Sequence, residues 1–169
     1  MKKFLKPFVT VLLFIGVISA IVLSMAEKPH PKVVLTGNVE KKPVEIFPHA
    51  YLCSRCKMEI DRKEYSAQVV DSEGKTWFFD DIGCLALWLE SQPFKESAAV
   101  WVYTLDTKRW IAAKDAYYST NEKSPMHYGF GAYEKSRSGS VNFEEVISRM
   151  KKGMHMANPQ YLKSMGDER

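Results

Sequence analysis

Cysteine and histidine are scarce in this chain, with three of the first and four of the second among 169 residues. It has no glycine-rich nucleotide loop, nucleophile elbow, paired His–Glu zinc-protease motif or calcium loop, and no segment repeats. Those absences exclude the catalytic machines that short motifs announce, so the chain reads as a binding protein, not an enzyme. An excess of one charge is lacking too. The net charge is +4, but Lys2, Lys3 and Lys6 stand at the extreme N-terminus and leave 21 Lys and Arg against 20 Asp and Glu elsewhere. A nearly neutral body without a basic stripe is poorly suited to nucleic acid. Aromatic residues are plentiful: four Trp, eight Tyr and nine Phe, within a 46% hydrophobic composition, supply the core of one ordinary domain.

From Pro7 to Ala26 (PFVTVLLFIGVISAIVLSMA) charge is missing altogether. The run matches the ~20 apolar residues of a membrane-spanning helix, and the basic flank predicts that the N-terminus stays in the cytoplasm. The expectation is a transmembrane helix over residues 1–26, retained as an anchor or uncleaved signal. That makes the chain a single-pass inner-membrane protein with its domain in the periplasm. Cleavage after Ser24-Met25-Ala26 is the alternative, although the run exceeds the ~7–15 residues of a signal-peptide core. No cysteine follows it to take a lipid. Outside the cytosol disulfides persist, yet three thiols cannot all pair within one chain.

Residues 27–46, with three prolines and no helical period, read as an extended tether, 47–152 as the domain and 153–169 as a loose polar tail. Strands are expected over 64–71, 75–79, 99–105, 109–113 and 128–133, and helices over 81–91 and 143–151. Asp80 and Asn142 serve as helix caps in this reading. The sum is an α+β fold, a small mostly antiparallel sheet with two helices, behind the membrane helix. Trp77, Phe79, Leu85, Trp88, Val100, Val102 and Trp110 form its expected core.

Chemistry concentrates at Cys53-Ser54-Arg55-Cys56-Lys57-Met58. Two thiols three apart, with a thioether two residues on, place soft donors within one turn of chain, which favours Cu(I). Haem attachment would need His where Lys57 stands, and a thioredoxin-like dithiol would need a strand before it and a helix after it. Met126 and His127, side by side after Pro125, are candidates for the remaining donors. Cys84, on an apolar helix face, reads as a buried core residue. Met154-His155-Met156 clusters further soft donors in the tail.

Four segments in order resemble the NosL family: Cys56-Lys57-Met58, WFFDDIGCLALWL from Trp77 to Leu89, WIAAKDAYY from Trp110 to Tyr118, and SPMHYGFGAY from Ser124 to Tyr133. Members are exported, membrane-attached copper-binding proteins that serve maturation of bacterial nitrous oxide reductase. The resemblance spans Pro48 to Arg149. It implies a copper chaperone that delivers Cu(I) to apo nitrous oxide reductase or its assembly transporter, with Cys56 and Met58 as ligands and Met126 nearby. The residues add Cys53 and His127 to that metal set, and a homodimer sharing one copper is compatible with it. Three departures stand out: Lys57 where members often carry Gly, no acylated cysteine, and the second thiol of Cys53. The competing reading is a periplasmic thiol–disulfide oxidoreductase using Cys53 and Cys56, with Arg55 and Lys57 lowering a thiol pKa. A structural Cys53–Cys56 staple comes last.

Overall fold

The computed structural model describes residues 2–26 and 30–167. Glu27, Lys28 and Pro29 of the expected tether, and Glu168 and Arg169 of the expected tail, lie outside the described residues. Two compact units result, 1–30 and 31–169.

The first unit holds α1 (Lys2–Ala26). Among the described residues no helix is long and apolar enough to cross a membrane. The expected transmembrane helix, and with it the single-pass inner-membrane placement, is therefore overturned. Counting uncharged residues from Pro7 to Ala26 overstated the span.

The second unit is an α+β domain. Its antiparallel sheet has the order β1-β3-β2-β4-β5, from β1 (Val34–Leu35), β2 (Ala67–Val70), β3 (Thr76–Phe79), β4 (Ala99–Tyr103) and β5 (Trp110–Ala112). A second pair, β6 (Tyr117–Ser119) with β7 (Gly131–Tyr133), lies beyond a 3-10 turn at Ala113–Asp115. The expected strand at 128–133 shortens to β7 because Gly129 has φ 93, a left-handed conformation that breaks extended chain.

The central strand β2 is buried at all four positions, which requires cover on both faces. On one face Ala67, Val69, Phe79 and Val102 pack with Leu85 and Leu89 of α2 (Ile82–Glu90) and with Phe143 and Val146 of α3 (Phe143–Lys151). Trp77, Trp88 and Val100 from the expected core border this cluster half-buried. On the other face Phe78 meets Ile46, Tyr51 and Ile60, with Trp110 at its edge. Residues 31–46, read from sequence as a tether, thus belong to the domain. Buried Gln68 secures them: its side-chain oxygen accepts the Val44 N–H at 2.9 Å, and its amide donates to the Val44 carbonyl at 2.7 Å. The tail is ordered as well, with α4 at Pro159–Asp167.

Gln68→Leu keeps the approximate size but removes the amide and leaves both Val44 groups unpaired, so it should lower unfolding free energy by about 1–3 kcal/mol. Urea denaturation measures this, and limited proteolysis should cut first within residues 36–46. An unchanged midpoint would show that the segment is held by other contacts.

Candidate metal centre

The cysteine pair sits on a sharp turn. Leu52 bridges Glu59, and between them the Cys53 N–H donates to the Met58 carbonyl at 2.8 Å and the Lys57 N–H to the Cys53 carbonyl at 3.0 Å. Lys57 takes a left-handed φ of 66, held by its ammonium bonding the Ser54 carbonyl at 2.8 Å. The turn is fastened to β3 by the Ser54 N–H, which donates to the Phe78 carbonyl at 2.7 Å. Two residues beyond Phe78 comes Asp80, and the first turn of α2 follows with Cys84.

The Sγ atoms of Cys53, Cys56 and Cys84 and a carboxylate oxygen of Asp80 lie within 4.8 Å of one another. Three of these residues are buried, and Cys56 alone is half-exposed. All three cysteines are free thiols, so no Cys53–Cys56 staple is formed. Three sulfurs and one oxygen converging on a point can hold a metal ion. The setting suits anionic ligands, because the cluster lies at the N-terminal, positive end of α2. Backbone N–H groups of Cys56 and Met58 bond the sulfurs of Cys53 and Cys56, the outer-shell support that thiolate ligands take.

The four groups polarise one another. The Cys84 thiol bonds the Cys53 sulfur and, with help from Asp80, holds Cys53 far below the usual thiol range despite its burial. The same contact, added to burial, pushes Cys84 upward. Burial pushes Cys56 up to about 12, with the Cys53 charge adding to it. Burial and that charge also raise Asp80 to about 7. The Cys56 thiol donates to both Asp80 oxygens, at 3.5 and 3.6 Å. One negative charge thus rests on Cys53, and the Cys56 and Cys84 thiols keep their protons.

The candidate residues from sequence land in different places. Cys53 and Cys56 join the cluster. Met58 is 51% exposed on the turn. Met126 is half-buried and packs against the core cluster, and its N–H donates to Asp81 at 2.9 Å. His127 is exposed with φ 58. Sequence reasoning left Asp80 and Cys84 out of the donor set, reading Cys84 as a buried core residue, which it also is. Asp80 was assigned to the helix cap, but Asp81 fills that place, accepting the Gly83 N–H at 2.8 Å. The overlooked signal was that Asp80 and Cys84 flank the N-cap of α2 at Asp81, the positive helix end at which anionic donors are favoured.

No family model and no curated protein matches the chain.

At pH 7 Cys56 and Cys84 carry protons, so a metal taking three thiolates should displace about two protons on binding. Affinity should then fall as pH falls, by about a hundredfold per unit near neutrality. Metal titrations in weakly buffered indicator solution count the protons. Binding without proton release would mean that the cysteines are not the ligands.

Proposed function

We propose that the protein is a Cu(I) carrier, a binding protein and not an enzyme, which takes the ion on Cys53, Cys56 and Cys84. The convergence of three sulfurs within 4.8 Å carries this reading. Three thiolates form a soft site suited to Cu(I), and half-exposed Cys56 is where an incoming thiol ligand can displace the first bond. Met58, exposed two residues later, offers copper a contact outside the cluster. The four NosL-like segments support a recipient of one kind, apo nitrous oxide reductase or its assembly transporter. Cys84 lies inside one of those segments.

Zinc is the competitor, since it accepts thiolate and carboxylate in a tetrahedral set, and Asp80 completes one. Thiol–disulfide exchange fits less well. It needs an exposed, low-pKa attacking thiol, whereas here the thiolate Cys53 is fully buried and the accessible Cys56 is raised to about 12.

Anaerobic competition against a chromogenic Cu(I) chelator tests the proposal. Cys53→Ser, Cys56→Ser and Cys84→Ser should each weaken Cu(I) binding by more than about 100-fold, beyond the cost of losing an outer-shell partner. Asp80→Asn should weaken zinc strongly while changing Cu(I) by less than about tenfold. Cysteine variants indistinguishable from the parent would overturn the copper reading. Equal losses of both metals in Asp80→Asn would make Asp80 a ligand to copper as well.

A further inference from the structure

The charge that a bound ion leaves in the cluster depends on the ion. Cys53 and Cys84 are 0% and 1% exposed, and Asp80 is buried with them. Thiols reach Asp80, with Cys56 donating to both of its oxygens at 3.5 and 3.6 Å. The two cations of the cysteine turn are engaged elsewhere. Lys57 gives its ammonium to the Ser54 carbonyl at 2.8 Å, and exposed Arg55 bonds the Tyr128 phenol. Three thiolates around Cu(I) leave two negative charges, and the N-terminus of α2 offsets only about half of one. Burying uncompensated charge is costly. A trivalent centre that takes three thiolates leaves no charge at all, so it suits a donor set this deeply covered.

We propose that the cluster is a binding site for trivalent arsenic, taken from arsenous acid as a three-sulfur adduct of Cys53, Cys56 and Cys84. The reaction is substitution without redox: three As–O bonds break and three As–S bonds form. Each hydroxyl leaves as water, with the proton of a thiol or, where the sulfur is already a thiolate, with one from solvent. Arsenic stays trivalent throughout. Arsenous acid is small and uncharged, and half-exposed Cys56 is the sulfur it meets first. The other two sulfurs lie within 4.8 Å, so they displace the remaining hydroxyls in intramolecular steps. Water reverses each step, and the burial of Cys53 and Cys84 keeps it from two of the three bonds. Soft sulfur suits this centre. A lone pair fills its fourth position, so Asp80 is not a ligand. Arsenic binding requires the three-sulfur geometry and not the copper role proposed above.

The test uses the full chain, reduced and anaerobic, with sodium arsenite as the probe. Native mass spectrometry should show one arsenic per chain in place of three hydrogens, and the ultraviolet absorption of the As–S bonds gives the affinity. A weakly buffered indicator should record no proton release, the opposite of cation binding to the same thiols. Cys53→Ser, Cys56→Ser and Cys84→Ser should each weaken arsenite binding by about 100-fold, because one of three linked bonds is lost. Asp80→Asn should change it by less than about tenfold. If Cys84→Ser does not fold, Cys56→Ser at the half-exposed position carries the decision. The chain unfolded in urea keeps every thiol but loses the geometry, and it should bind about 100-fold more weakly than the folded one. Equal affinity of folded and unfolded chains, an adduct that retains a hydroxyl, or a Cys56→Ser variant matching the parent would overturn the proposal. Arsenite binding without Cu(I) binding would remove the copper reading alone, and Cu(I) binding without an arsenic adduct would remove this proposal alone.

Discussion

The buried carboxylate of Asp81 accepts hydrogen bonds from the Gly83 and Met126 amides at 2.8 and 2.9 Å and from the Ser124 side chain. Burying a carboxylate is costly, and burial pushes this one upward, while the three donors offset the cost. Its effect is geometric. One oxygen starts α2 at Ile82, which fixes the direction in which Cys84 points. The other draws in the 124–129 loop, forty residues further along the chain, and sets Tyr128 against the same turn. Asp81 is not one of the four donors, yet the placement of Cys84 and of the 124–129 loop depends on it.

The sheet acts at the opposite edge of the site. Successive residues of β3 point to opposite faces, so Phe78 anchors the layer made by Ile46, Tyr51 and Ile60, and Phe79 enters the core beneath α2. Phe78 also receives the Ser54 N–H on its carbonyl, so a single strand end locates the cysteine turn, Asp80 and the start of α2 together. Packing on both faces makes that strand end rigid. A donor set drawn from three separate places in the chain needs this rigidity to stay within bonding reach.

Much of the domain was legible because its signals are local. The hairpin at 67–79, the amphipathic spacing in α2 and α3 and the Asn142 cap each depend on neighbours a few residues away. The C-x-x-C pair was legible for the same reason. Asp80 and Cys84 were not, because their roles depend on which turn of chain folds over them, and that is set by a contact between Ser54 and Phe78. Residues 31–46 looked like a tether because their prolines and lysines show no helical period, while what binds them lies far along the chain: the pairing of β1 with β3, the Ile46 side chain in the core and the Gln68 bonds to Val44. The N-terminal run misled in the opposite sense: residue counting suggested a membrane span, and no described helix is long and apolar enough to make one.

Because the donors come from Cys53 and Cys56 on one side and Asp80 and Cys84 on the other, an ion bound by all of them acts as a cross-link. It would close a chain loop comparable to those closed by disulfides, removing conformations from the unfolded ensemble by an amount worth about 3–4 kcal/mol. During synthesis the first pair leaves the ribosome well before the second, and two ligands alone hold metal weakly. The complete set exists once β3 and α2 have docked, so a loaded cluster is also a record that the domain has folded.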